Sequence, residues 1–356
     1  MYPRIAQESK RVNPHPPAVR FKELDTLRGV AALYVMLFHL SRIAGYDIDF
    51  LNTGVTGVDL FFIISGYVIF MSLEKTRKSR DFIISRLSRL LPSYLVMMAI
   101  TIVTILLFAS SQTPSLTTVL FNTTMLQPWF SVPYIDESYW TLTVELLFYV
   151  SMLVLFRIRK LDHIIKIGSI VIAFLFIYYY VTSRYLPESR WFIVPRHLFP
   201  ISSHFQLFFA GIIFYKLKFV SNQWHSHLLL AICFLLTLFF FDMSGRAHFF
   251  IEFETYAFAV LVYFIVFYLF VFNKLSFLNI RMLVFFGSIS YGIYLLHQEF
   301  AIVLYPYFVN TLGLNPIMAI GLLSALIIGI ATFVTYKIEL PVIKIIRHKY
   351  IGFSPR

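Results

Sequence analysis

Arg28 and His39 stand eleven residues apart in LDTLRGVAALYVMLFH (24–39), a stretch that is otherwise mostly apolar. On an α-helix, eleven steps are about three full turns and a rise of roughly 16 Å. The guanidinium and the imidazole therefore share one stripe of one helix, at opposite ends. Ionisable groups inside a bilayer are costly and mark pathways or reaction sites by default. Neutral imidazole takes a proton, so His39 is a candidate general base; it could equally carry a transferred group covalently. Arg28 is a candidate anion or amide ligand, or a partner of Asp25. The bland alternatives are an interhelical hydrogen bond for His39 and a snorkelling anchor for Arg28.

Three more titratable groups fall near the same depth as His39 when helical rise is counted inward from the span ends. They are Asp59 in GVDLFFIISGY (57–67), Glu145 in WTLTVELLFY (140–149) and His297 in SISYGIYLLH (288–297). Together they imply a polar pocket opening outward, because scattering them over a lipid-facing surface would be very costly. Glu145 could orient His39 or hold an acceptor, and Asp59 could do the same or meet a buried cation; a structural hydrogen bond serves equally well for each. His297, beside Tyr291 and Tyr294, reads better as structural than as catalytic, with Tyr291 and His297 kept as candidate substrate contacts. Trp129 and Trp140 could stack on a sugar ring, although interfacial tryptophan is ordinary. Ser65, beside Gly66, has no assignable histidine or carboxylate and is discounted as a nucleophile. On the inner side, DFIISRLSRLLP (81–92) sets Arg86 and Arg89 three residues apart. On a helix they share a face, and guanidinium forks suit phosphate oxygens. No cluster of metal-ligand spacing occurs, and the single Cys233 excludes an intrachain disulfide and a cysteine metal site.

The elements that position these groups follow from composition. The 356 residues are 59% hydrophobic and only 13% charged, with mean hydropathy +0.76, which is far too little charge for a soluble domain. Each crossing needs about 20 apolar residues. The chain divides into ten such segments: 26–44, 55–73, 90–110, 138–156, 165–182, 199–216, 227–242, 252–272, 282–305 and 316–336. Residues 111–137, with Pro114, Pro128 and Pro133, form the least regular connection. Of the 30 Lys and Arg, all but Arg42, Arg184, Arg190, Arg196 and Arg246 fall on the side of the N-terminus. That bias predicts cytoplasmic termini and an even number of crossings. It also accounts for the net charge of +12 without nucleic acid. The expected fold is all-α and polytopic, with a basic tail at 1–23, a transmembrane domain at 24–341 and a C-terminal tail at 342–356.

The order of these motifs resembles the acyltransferase-3 family of integral membrane acyltransferases. The matching segments are LDTLRGVAALYVMLFH, GVDLFFIISGY, the Arg-x-x-Arg of 86–89, WTLTVELLFY, SYGIYLLH (290–297) and Glu339-Leu-Pro341. The resemblance implies a ten-helix enzyme taking an acyl group, usually acetyl, from cytoplasmic acyl-CoA. The acceptor it implies is a hydroxyl of an envelope glycan, such as lipopolysaccharide O-antigen, exopolysaccharide or a lipid-linked sugar, outside a bacterial inner membrane. It further implies that Arg28, His39, Arg86 and Arg89 matter for activity, with acetyl-CoA a donor substrate and no tightly bound cofactor. Many relatives continue the Glu145 motif with Glu-Gln, where Leu146 and Leu147 stand here, so a paired-carboxylate role at this site is in doubt. No fused esterase-like domain is expected, and a homo-oligomer is compatible with all of this. The competing reading is a proton-coupled transporter or flippase, which shows no inverted repeats or Gly/Pro-broken helix pairs.

Overall fold

The computed structural model describes residues 21–220 and 223–351, and these contain helices and no strand. Most of the expected basic tail (1–20) and the last five residues lie outside the described residues. Twelve helices carry the fold. They are α1 (Lys22–Ile43), α2 (Gly57–Glu74), α3 (Ser79–Phe108), α4 (Trp140–Arg157), α5 (Ile164–Tyr185), α6 (Phe205–Phe219), α7 (Trp224–Phe239), α8 (Phe253–Val271), α9 (Arg281–Leu296), α10 (Glu299–Pro306), α11 (Pro316–Val334) and α12 (Leu340–Ile351). Helix lies on each of the ten apolar segments. Among the described residues, six helical stretches are long and apolar enough to cross a membrane: Asp49–Glu74, Ser79–Phe108, Glu137–Arg157, Leu161–Tyr185, Phe253–Val271 and Pro316–Tyr350. α7 and α9 are apolar but shorter.

A helix satisfies its own backbone, which is why apolar runs of this length take that form in lipid. Their outer faces remain apolar: Phe174 and Ile177 on α5, Phe258 and Ile265 on α8, and Ile317 and Phe333 on α11 are all exposed. Between helices, lipid supplies no hydrophobic drive, so close contact rests on packing and small residues. Two crossings show this. A Cβ on Gly29 of α1 would come 2.5 Å from the Gly287 backbone of α9, and one on Gly287 would come 2.0 Å from the Asp25 carbonyl. A Cβ on Gly66 of α2 would come 2.0 Å from the Phe208 carbonyl of α6, and one on Gly211 would come 2.1 Å from the Ile63 carbonyl. The residues just before Gly29 and Gly66, Arg28 and Ser65, are thereby held beside close backbone contacts between helices.

Boundaries depart from the sequence reading in three places. α3 begins at Ser79 and runs through Pro92, so Arg86 and Arg89 sit on the helix and not in the loop before it. An interior proline removes one hydrogen bond and costs about 3 kcal/mol in water, but neighbouring helices re-satisfy the freed groups in membrane proteins. The segment expected as one span at 282–305 is broken at His297 and Gln298 into α9 and α10. Asp136 satisfies the restart, its Oδ2 accepting from the Glu299 amide at 2.9 Å while Oδ1 accepts from the Ser138 amide at 2.8 Å. Beyond Glu339 the chain stays helical to Ile351, and α12 packs along α3.

Candidate active site

Two cavities lie along α1, one at each end of the Arg28–His39 stripe. The first is a small chamber of about 80 Å³ lined by Arg28 of α1, Ser65 of α2, Arg86 and Arg89 of α3, Glu145 and Tyr149 of α4, and Tyr291 of α9. Its polar groups interlock. Glu145 Oε1 accepts from Ser65 Oγ at 2.9 Å and from the Tyr149 hydroxyl at 2.5 Å. Arg86 donates to Ser72 Oγ at 3.0 Å, and the Tyr291 hydroxyl donates to the Leu90 carbonyl at 3.1 Å. The i, i+4 spacing of Glu145 and Tyr149 puts both on one face of α4. Three guanidinium groups and one carboxylate line this chamber, a surplus of positive charge suited to an anion.

The second cavity, about 170 Å³, is lined by His39, Asp59, Trp140, His204, Tyr256 and Arg246 among others. Tyr256 hydrogen-bonds Asp59. At the rim, Arg246 pairs with Glu137 at 2.6 Å, joining the segment after α7 to the turn before α4. The His39 ring lies 4.9 Å from the His297 ring, centroid to centroid. His297 is 1% exposed; its Nδ1 contacts the Tyr294 carbonyl at 2.7 Å, and its Nε2 has no partner among the described residues. The helix break at His297 therefore turns an imidazole toward His39.

Both cavities are lined by Val58 and Tyr294. The arginine chamber and the histidine pocket therefore adjoin at these two residues, which belong to the partition between them. The Tyr294 hydroxyl is fixed by Thr141 Oγ1, which donates to it at 2.9 Å, and it donates in turn to the Ser138 carbonyl at 3.2 Å.

The structure redistributes several expected groups. His39 and Asp59 share the outer pocket, but Glu145 lines the arginine chamber. α4 is preceded directly by a 3-10 turn at Glu137–Tyr139, so Glu145 lies well down the helix, beside the guanidinium groups and Tyr149. Tyr291 also faces the arginine chamber, because it sits nearly two turns before the break at His297. Trp129 lines neither cavity: its indole donates to the Leu198 carbonyl at 2.8 Å, tying the 3-10 turn at Gln127–Phe130 to the end of the short helix Arg190–Leu198. Trp140 does line the outer pocket, 5.3 Å from the His204 ring. Ser65, discounted for want of a carboxylate, has one in Glu145. His204 was missed. It is 3% exposed, lines the outer pocket, and its Nδ1 has no partner among the described residues. The available signal was one imidazole in FPISSHFQLFF (199–209), at the mouth of an apolar run. Among the described residues, no three His, Cys, Asp or Glu side chains gather as a metal site.

Comparison with known proteins agrees with the motif order. The acyltransferase-3 family model, described as an acyltransferase domain, matches residues 21–336. The chain is 26% identical over 276 residues to a provisionally named acetyltransferase, ORF330, of Acidianus two-tailed virus, covering 76% of this chain and 80% of that one. It is 37% identical over 91 residues to a Bacillus subtilis (strain 168) protein provisionally named peptidoglycan O-acetyltransferase YrhL, covering 24% of this chain and 13% of the relative. A provisionally named O-acetyltransferase of Staphylococcus aureus (strain COL) is 39% identical over 83 residues, 22% of this chain and 13% of that protein. The chain thus aligns with about an eighth of the length of these two bacterial relatives. No solved structure matches it. With nearly all of its described helices inside the matched region, the chain belongs to the acyltransferase-3 family.

Proposed function

We propose that this protein is a membrane-bound O-acyltransferase, moving acetyl from cytoplasmic acetyl-CoA to a hydroxyl of an envelope glycan on the far side. Ten crossings of a bacterial inner membrane, with both termini cytoplasmic, fit the 25-to-5 distribution of basic residues. The observation that carries the reading is the pair of adjoining cavities that share Val58 and Tyr294 as lining, with Arg28 in one and His39 in the other. The arginine chamber receives the anionic part of the donor from inside. The histidine pocket receives the acceptor from outside, between Trp140, His204 and the Arg246–Glu137 rim.

The chemistry balances with residues in hand. His39 accepts the proton of the acceptor hydroxyl as its oxygen attacks the thioester carbonyl carbon. The new C–O ester bond forms, the C–S bond breaks, and the departing thiolate of coenzyme A takes up the proton from His39. His297, ring against ring with His39, orients it. If His39 first takes the acetyl group itself, an acetyl-imidazole replaces direct transfer and the acceptor attacks that. Holding donor and acceptor on either side of one partition supplies the proximity on which a bimolecular transfer depends.

The test is transfer of radiolabelled acetyl from acetyl-CoA to surface glycan, followed by mass spectrometry of the glycan. A membrane fraction with wild-type protein should produce a labelled ester, and His39→Ala should not. A proton-coupled carrier would move solute and form no ester. Absence of any labelled ester in the wild type would reject the acyltransferase reading.

A further inference from the structure

A third concavity, of about 680 Å³, lies where the turn before α3 meets the turn after α4. Five cations line it: Arg77 and Lys78 from the first turn with Arg80 at the start of α3, and Arg157 at the end of α4 with Arg159 from the second turn; Asp162 is the single acid. All five basic side chains are exposed, and none forms one of the ion pairs recorded among the described residues. Between them lie two partly buried apolar side chains, Phe156 and Leu161. This is a basic cleft with an apolar floor, on the same end of α3 as the arginine chamber. Arg80 precedes Arg86 and Arg89 by six and nine residues, a rise of about 9–14 Å along the helix.

Volume separates the roles of the two basic sites. A chamber of about 80 Å³ is far below the roughly 300–1,000 Å³ of small-molecule sites and cannot enclose a nucleotide; the cleft is within that range. We propose that the cleft is the docking site for the phosphorylated adenosine end of the acyl donor, with the diphosphate directed toward Arg86 and Arg89 and the thioester arm beyond. The inference rests on the acyl-CoA reading of the proposed function and assigns five residues that it left unused. Basic residues at a membrane face are commonly topology anchors. Anchors have no need to converge from two turns onto one cleft around an apolar floor. Exposed cations act through a screened field, with a Debye length of about 8 Å at 0.15 M salt, so docking here should weaken as salt rises.

The experiment uses the full chain in detergent and a triple variant, Arg77→Gln, Lys78→Gln and Arg157→Gln. Acetyl transfer is compared with acetyl-CoA and with acetyl-dephospho-CoA, which lacks the 3′-phosphate. The wild type should prefer acetyl-CoA, with a KM at least tenfold lower. The triple variant should lose that preference through KM and recover at saturating donor. Arg77→Lys with Arg157→Lys, which keeps the charge, should retain it. An unchanged preference in the triple variant overturns the assignment and leaves the proposed function standing.

Direct binding of adenosine 3′,5′-bisphosphate gives a readout independent of turnover. Binding by the wild type that the triple variant loses sustains the site even if no ester forms and the proposed function has failed. Equal bisphosphate binding by both proteins overturns it. Loss confined to phosphatidylglycerol vesicles, with bisphosphate binding unchanged, identifies a lipid headgroup site and also overturns it.

Discussion

Val58→Trp is the sharpest perturbation the geometry offers. Val58 lines both cavities, so a larger side chain there enters the space through which an acetyl group would pass. The arginine chamber is only about 80 Å³, so an indole ring in it leaves no room for a thioester. Because the new ring enters existing space, the folding cost should stay near the lower end of the roughly 1–3 kcal/mol typical of overpacking. The effect on transfer should be far larger. Displacing reacting groups by about 1 Å can cost about 100-fold, equivalent to about 2.7 kcal/mol of barrier, and a filled partition displaces them by more.

The assay is labelled acetyl transfer at matched protein levels, with monodispersity in detergent as the measure of folding. Val58→Ala, which opens the partition, should keep at least half of the wild-type rate. Val58→Trp should fold, reside in the membrane and transfer at under 1% of the wild-type rate. A well-folded Val58→Trp protein with near-normal activity would refute the reasoning, since the acyl group would then be taking some other route.

The remaining expectations concern single groups. His39→Ala should lower transfer by about 10²- to 10⁴-fold, the usual span for a positioned acid–base group, with membrane content unchanged; activity above a tenth of wild type would remove His39 as the base. Glu145→Ala leaves the Ser65 and Tyr149 hydroxyls without their shared acceptor. Each orphaned buried group costs about 1–3 kcal/mol, so thermal unfolding in detergent should fall clearly, while Glu145→Gln keeps an oxygen acceptor and should fall less. Arg246→Ala removes an ion pair whose partners are 57% and 44% exposed, and should change stability by under about 1 kcal/mol. His204→Phe preserves an aromatic ring beside Trp140 but deletes the polar edge, so the acceptor KM should rise and the donor KM stay fixed.

How much of this was legible in the sequence follows from what each signal depends on. The Arg28–His39 stripe needed only helical rise within one continuous element; that each residue lines a cavity is set by the neighbouring helices. Arg86 and Arg89 needed only their spacing of three. Glu145 was placed beside His39 because depth on separate helices was counted from estimated span ends, and an error of one turn moves a side chain about 5.4 Å, enough to change cavities. The break at His297 carries no glycine or proline; it is stabilised by Asp136, far away in sequence, so nothing local announced it. The partition itself was invisible for the same reason: Val58 is an unremarkable valine until α9 brings Tyr294 beside it. His204 was readable as an imidazole in an apolar run, but its unpartnered nitrogen exists only after packing.

The packing also explains why the two sides of the molecule are built differently. In the middle, backbone meets backbone: Gly29 against Gly287 and Gly66 against Phe208 leave no space for even a methyl group, and interiors packed that closely do not deform continuously. Arg28 and Ser65 are each one residue from such a contact, so two walls of the arginine chamber are anchored on closely packed backbone. Around the histidine pocket the contacts are of a weaker kind: the exposed Arg246–Glu137 pair lines it, and beyond its lining single hydrogen bonds run from Trp129 to Leu198 and from Arg196 to Met243. On the proposed reading the donor uses the rigid side, and a glycan acceptor reaches His39 by parting the Arg246–Glu137 rim, an exposed ion pair worth under about 1 kcal/mol. Cross-linking position 246 to position 137 through introduced cysteines should therefore block transfer to glycan while leaving adenosine 3′,5′-bisphosphate binding intact, and a cross-linked protein that still acylates glycan at the normal rate would show that the acceptor enters elsewhere.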